Sequence, residues 1–271
     1  MGLMDNEKVL CEVTENHLNT GLRGIPVGTC RTSFVTPTEG VHYCGYPIKE
    51  LVDFSPEDII YLLFNKELPT TAQSSTFKAD LAARGNVPSG LENVLQTLPK
   101  DGHPMDWLSV GIQTLGMLDT TGNWREDALN LIARMPRLMG LIFRYREGRS
   151  TDIAADDTSK SLVQRFVDTV GVDEHLRAKM ERVVSTYLVL HMDHGGGNLS
   201  TFTGKSIASG KATVYSAIAG AMNALSGPLH GRANQSCLEF VLKIGTSDEA
   251  EVEKFVRNEL KEGRPVFGFG H

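Results

Sequence analysis

The sequence predicts an all-α protein, and three observations carry that expectation. Apolar residues recur at helical spacing in successive stretches from about residue 47 onward. Helix-start signals, a capping side chain followed by proline or acids, stand before several of these stretches. Strand-like sequence is confined to roughly residues 24–46. With 271 residues and 41% hydrophobic content, the chain is long enough for one large domain or two ordinary ones, whose core needs no covalent staples.

Val27, Phe34, Val41, His42 and Tyr43 predict a hairpin around Thr36-Pro37-Thr38-Glu39-Gly40. Pro47 and Asp53 frame a short helix. Ser55-Pro56-Glu57-Asp58 then supplies an N-cap, a proline at the first helical position and early acids for the run ending at Asn65. Short helices are expected around 71–84 and 89–98. His103-Pro104-Met105 opens a segment to about 118 in which Trp107, Leu108, Ile112, Leu115 and Met117 fall at helical spacing. Residues 125–147 read as a long central helix, apolar on most sides, in which Pro136 predicts a kink or a break. The helix expected over 173–192 has a broad apolar face made by Leu176, Met180, Val183, Val184, Tyr187, Leu188 and Leu190. Ser200 stands where it can cap a helix to about 209. A small-residue helix follows over 211–226, where Ala217, Gly220, Ala221 and Ala224 permit close approach in the core or at a subunit interface. Gly227-Pro228 ends it, and helices near 231–243 and 248–261 complete the chain.

Composition narrows the function. With 27 Lys+Arg against 33 Asp+Glu the net charge is −6, and no basic cluster stands out, which argues against nucleic acid as the main partner. No stretch reaches the roughly 18 consecutive apolar residues of a membrane span. Cys11, Cys30, Cys44 and Cys237 form no CxxC pair and read as reduced, buried thiols. The first ten residues carry Asp5 and Glu7 and have no apolar signal region, so a cytoplasmic location is expected.

Of eight histidines, three lie in Gly-rich breaks between helices: His194 in HisGlyGlyGlyAsn, His230 in GlyProLeuHisGlyArgAlaAsn, and His271 in GlyPheGlyHis. Histidine serves as acid, base or neutral donor near pH 7, and adjacent glycine lets a ligand approach the backbone. One such histidine is more often a satisfied turn residue; three together favour a shared site. His230 also sits before a helix start, where the positive end of the helix dipole disfavours imidazolium. A neutral ring there can donate to a developing enolate oxygen, although Asn234 and Gln235 anchoring the turn is the plainer account. Other signals fail. PheThrGlyLysSer at 202–206 resembles the end of a phosphate loop, but Leu199 stands where its first glycine belongs. HisGlyGlyGly at 194–197 resembles a lipase oxyanion loop, yet no GxSxG follows. His191, Asp193 and His194 hint at a metal, but HExxH is missing and no third ligand is obvious, so no metal is expected.

Several segments together resemble the citrate synthase family. They are GlyLeuArgGly at 21–24, TyrCysGlyTyrProIleLysGluLeu at 43–51, AsnLysGluLeuProThr at 65–70, HisProMet at 103–105, HisMetAspHisGlyGlyGlyAsnLeuSerThrPheThr at 191–203, AlaMetAsnAlaLeuSerGlyProLeuHisGlyArgAlaAsnGln at 221–235, and GlyArgProValPheGlyPheGlyHis at 263–271. The order is right and nearly the whole chain is covered. The resemblance implies an all-α homodimer with a large domain, nearly complete here as residues 1–226, and a small CoA-binding domain begun at 227–271. It implies condensation of acetyl-CoA with oxaloacetate to citrate and CoA through an enol, with no cofactor beyond the acetyl-CoA substrate. By position, His194 matches the histidine that binds oxaloacetate, His230 the one that holds the thioester oxygen as the enol forms, and His271 the one that polarises the oxaloacetate carbonyl. Helix 211–226 matches a dimer-interface segment, and Gly227-Pro228 the passage between domains. Arg23 is a candidate contact for CoA phosphate, equally read as a solvated arginine.

Two departures stand out. The residue after His194 is glycine where the family often has an acid. More consequentially, the family continues past GlyPheGlyHis to an aspartate that removes the methyl proton and to arginines that clamp the carboxylates, so these 271 residues are expected to be a fragment without full activity. Three alternatives remain at this stage: a 2-methylcitrate synthase using propionyl-CoA, a non-catalytic helical dimer module, and an unrelated metal-dependent hydrolase.

Overall fold

A computed structural model describes residues 8–19, 25–26, 28–153, 157–193, 195, 197–227, 230–231 and 233–266, apart from the side chains of 233 and 234. The all-α expectation holds. Among the described residues, the strands are β1 (Ser33–Thr36), β2 (Gly40–Tyr43) and β3 (Tyr46–Pro47). They form one antiparallel sheet in the order β1-β2-β3, with Ser33 opposite Tyr43 and Phe34 opposite His42. The predicted hairpin is therefore present, with a short third strand where the sequence suggested a helix start.

The helices are α1 (Ile48–Leu51), α2 (Pro56–Asn65), α3 (Thr71–Ala83), α4 (Ser89–Gln96), α5 (Pro104–Asp119), α6 (Trp124–Glu147), α7 (Leu162–Val170), α8 (Glu174–Leu190), α9 (Leu199–Ser209), α10 (Val214–Leu225), α11 (Ala233–Ile244) and α12 (Glu249–Lys261). Local chemistry sets their ends. Ser55 caps α2 as expected, its hydroxyl accepting from Asp58 N, and Lys66 closes the helix in the left-handed conformation with its N–H on Leu62 O at 2.7 Å. Thr70 and Gln73 form a reciprocal capping box on α3. Pro136 neither breaks nor ends α6, which runs through it. With Ile132, Met135 and Met139 it lines an apolar cavity of about 330 Å³ between α6 and α2, α7 and α8.

Helix α7 was not anticipated. Its signal is another capping box, Ser161 with Gln164, and a carboxylate from far away in the sequence completes the end: Glu57 Oε1 accepts from Leu162 N at 2.7 Å. First-turn N–H groups have no partner within the helix, and this side chain supplies one.

The main core is built on α5, α6 and α10 by Leu108, Ile112, Leu115, Leu138, Leu141, Tyr215 and Ala219, joined by Leu91 and Leu95 of α4. Full burial of each leucine is worth roughly 1.5–3 kcal/mol. A second cluster seats the hairpin on α2 and α8 through Tyr43, Leu51, Ile59, Leu62 and Val189. The apolar face predicted for α8 is only partly covered: Leu176, Val183, Tyr187 and Leu190 are exposed. The cysteines are a correction too. All four are free but only partly buried: Cys11, Cys30 and Cys44 lie in loops, and Cys237 lies within α11.

Helices α9 and α10 make a helical hairpin with a four-residue connection, 210–213. Gly220 faces the tip of Ile207, and Gly204 faces Ala217 O and Ala221 Cβ, so the axes approach closely. The small residues of α10 are therefore spent within the subunit, and Tyr215, Ala217, Ala219 and Ala221 are buried. This pairing brings the start of α9 beside the turn that follows α10. Helices α11 and α12 clasp one another: Phe240 meets Phe255 edge to face at 5.6 Å, and Lys243 lies over Phe255 and reaches Glu259.

Candidate active site

His230 sits in a turn held by its own N–H and that of Gly231, which both donate to Gly227 O at 3.0 and 3.2 Å. Helix α11 begins at Ala233, so His230 precedes that helix as the sequence suggested, with Gly231 and Arg232 between them. The helix start that faces it belongs to α9. Ser200 N donates to His230 Nε2 at 3.3 Å, and Ser200 Oγ lies 2.7 Å from the same nitrogen. A backbone N–H can only donate, so this geometry places Nε2 as the acceptor, the arrangement that suits a ring with its proton on Nδ1.

Ser200 is free for this contact because it does not cap α9. Asn198 does, its Oδ1 accepting from Thr201 N at 2.9 Å. Asn198 Nδ2 also donates to Gly195 O at 3.4 Å. Gly195 has φ +81°, a left-handed conformation in which other side chains are strained. Its N–H donates to Asp193 Oδ1 at 2.7 Å, and the same oxygen accepts from Ser33 Oγ at 2.8 Å. Asp193 N donates to Tyr43 OH at 3.3 Å, and that hydroxyl donates to Val189 O at 3.0 Å. Burial pushes the Tyr43 phenol above its ordinary pKa, so it remains a donor.

Asp193, Gly195, Thr201 and Lys205 line a cavity of about 360 Å³ together with Cys30, Arg31 and Thr32. Burial raises the Cys30 thiol, but hydrogen bonds with Thr32 and Ser33 outweigh it and hold the pKa below the ordinary value.

Of the histidines proposed from sequence, His230 is thus placed with a partner. His194 and His271 lie outside the described residues, as do Arg23 and Pro228. Two other histidines have local duties: His103 Nδ1 caps α5 by accepting from Met105 N, and His191 stacks on Tyr187. Sequence reasoning missed Ser200, Asn198, Ser33 and Tyr43, and considered Asp193 only as a metal ligand. Two signals were there to find: Asp193 two residues before a glycine, which favours an Asx turn, and Asn198 three residues before Thr201, an N-cap spacing.

The family described as "Citrate synthase, C-terminal domain" matches residues 21–271. The chain belongs to the citrate synthase family. It is 32% identical over 296 aligned positions to the mitochondrial citrate synthase of Saccharomyces cerevisiae, covering 97% of this chain and 60% of that protein. It is 30% identical over 294 positions to the mitochondrial 2-methylcitrate synthase of Yarrowia lipolytica, covering 97% and 62%. The crystal structure of citrate synthase from Thermotoga maritima superposes with a TM-score of 0.78 at 29% identity, over 93% of this chain and 67% of that one. The chain therefore spans about three fifths of the length of these curated citrate synthase relatives.

Proposed function

We propose that the chain supplies part of the active site of an acyltransferase that condenses acetyl-CoA with oxaloacetate to give citrate and CoA. The observation that carries this reading is the His230–Ser200 contact. With Nε2 occupied, the Nδ1–H is left to donate to the thioester oxygen of acetyl-CoA as a methyl proton departs and the enol forms. A donor fixed in advance where negative charge develops is the largest single device available to such a site. His194 as the oxaloacetate ligand and His271 as the group polarising the oxaloacetate carbonyl complete the proposal, by family position. The base that takes the methyl proton and the arginines that hold the carboxylates are expected from residues other than these.

The test is oxaloacetate-dependent CoA release. Replacing His230 by Ala removes one donor to the developing oxyanion and should lower kcat by about 10²–10³-fold, while His194→Ala should weaken oxaloacetate binding. Release at an unchanged rate in His230→Ala would overturn the assignment. If the protein binds no oxaloacetate by calorimetry, the non-catalytic module becomes the better account.

The Yarrowia lipolytica relative, a 2-methylcitrate synthase, supports a second reading in which propionyl-CoA is the acyl donor. Relative kcat/KM for the two acyl-CoAs decides. Homodimer formation is proposed as well, supported by the exposed apolar residues Val110, Met117 and Leu118 of α5 and Ile218 of α10. Light scattering on the eluted protein tests it. The mutual clasp of α11 and α12 supports residues 227–271 as the beginning of a second domain after a first spanning 1–226. Among the described residues no helix is long and apolar enough to cross a membrane. A cytoplasmic location follows from the sequence expectation alone, against mitochondrial and peroxisomal relatives, and fractionation distinguishes these.

A further inference from the structure

We propose that Asp193 is a positioning residue for His230, setting the tautomer and placement of the imidazole through Gly195, Asn198 and the start of α9. The inference rests on the reading of His230 as the donor to the thioester oxygen.

The contacts form an unbroken series. Asp193 Oδ1 takes two donors at once, Ser33 Oγ at 2.8 Å and Gly195 N at 2.7 Å. The first ties the carboxylate to the hairpin, whose Ser33 and Tyr43 are buried and whose seat on α2 and α8 is part of the core. The second fixes the backbone that leads into α9. From there Gly195 O accepts from Asn198 Nδ2, and Asn198 Oδ1 accepts from Thr201 N, which registers the first turn of α9 against the loop. Ser200, in that same turn, presents both its N–H and its hydroxyl to His230 Nε2. A first turn that rotates or slides takes the N–H off Nε2, and the ring then has no fixed acceptor side.

A carboxylate is suited to this position because one oxygen must accept from two donors that differ in direction, a backbone N–H and a hydroxyl. Hydrogen bonds to a charged acceptor are short and strong. The bond to Tyr43 OH through Asp193 N adds a third tether, so the residue is held on both its backbone and its side chain. If Asp193 merely closed a turn, its loss would lower stability and leave the ring of His230 as it was.

The experiment reads the ring directly. Nitrogen and proton NMR of histidine-labelled protein, with His230 assigned by His230→Gln, should show a single Nδ1–H tautomer in the wild type. Asp193→Ala should produce mixed tautomers, and Asp193→Asn, which keeps an accepting oxygen at the same place, should restore the wild-type signature. In the condensation assay, Asp193→Ala should lower kcat by about 10²-fold, as a displacement near 1 Å of a reacting group does, with KM for acetyl-CoA changed by only a few fold. Asp193→Asn should stay within several fold of wild type. Should Asp193→Ala not fold, Ser33→Ala and Asn198→Ala each remove a single link and are expected to shift the same tautomer signal. A wild-type ring protonated on Nε2, an unaltered tautomer in these variants, or an Asn variant as impaired as the Ala variant would each overturn the proposal. Absence of oxaloacetate binding by the wild type would count against the proposed function instead, and the tautomer measurement would still decide the role of Asp193.

Discussion

Gly231→Ala should damage the site and the fold together, through a single methyl group. The glycine is needed for space: a Cβ there would lie 2.0 Å from the carbonyl oxygen of Leu225, the last residue of α10, and 2.9 Å from its carbonyl carbon and Cγ. Contacts of this kind stay beyond 3.0 Å in real side chains, and the obstacle is backbone that cannot rotate away. The turn must therefore retreat by about 1 Å, a displacement that can cost about 10²-fold in rate when it moves a reacting group. It also suffices to break the 2.7 Å contact between Ser200 and His230. Overpacking costs about 1–3 kcal/mol, and loss of a hydrogen bond adds about 0.5–1.5 kcal/mol. At roughly 2–4 °C per kcal/mol, the melting temperature should fall by several degrees. Gly227→Ala is the control in the same turn, because its added Cβ meets Ala224 O at an ordinary 3.5 Å. Thermal melts and CoA release from both variants make the comparison. Gly231→Ala melting and turning over like Gly227→Ala would refute the reasoning.

Three further outcomes are expected. Burial raises the Asp58 carboxyl, but hydrogen bonds from Ser55 at 2.6 Å and Ser74 at 2.5 Å, with Lys78 at 3.1 Å, outweigh it and hold its pKa below the ordinary value. Its stabilisation is therefore complete above the unfolded carboxylate pKa of about 4 and is lost as pH falls through the lower folded value. Asp58→Asn should melt earlier at neutral pH and lose less on acidification, and parallel melting profiles would contradict this. Iodoacetamide should label Cys30 before Cys44, whose thiol is pushed up by burial; peptide mapping showing the reverse order would count against the hydrogen-bond account of Cys30. Gly140→Ala should destabilise by about 1–2 kcal/mol, because overpacking exceeds the helix gain of about 1 kcal/mol: the new Cβ would meet Thr169 at its Cγ2, Cβ and carbonyl carbon. Gly220→Ala meets only the mobile tip of Ile207, so it should be near neutral in the same denaturant titration.

Most of the helices were legible because each signal is local. Ser55-Pro56 starts α2 where the sequence places it, and Asn65-Lys66 ends it. What was not legible depends on distant partners. Helix α7 is short, and its first turn is completed by Glu57, more than a hundred residues earlier. Nothing near residue 162 announces that carboxylate, although the Ser161-Gln164 box does announce a helix. Pro136 predicts a kink or a break because its missing N–H weakens an isolated helix; it does not break α6, whose packing in the core carries the helix past it. At the site, the histidine motif around His230 was legible as chemistry. Its partner was not, because Ser200 looks like a cap and becomes a histidine ligand only once α9 and α10 are folded together.

The hairpin's attachments have a further consequence for how the chain is made. Tyr43 bonds to Val189, 146 residues later, and Ser33 to Asp193, 160 residues later. At synthesis rates of about 5–20 residues per second, the strands emerge roughly 8–30 s before their seat exists. A three-stranded sheet this short has little stability of its own, and it carries Phe34 and Val35 on its outer strand. Docking of the hairpin on α8 therefore waits on the translation of that helix.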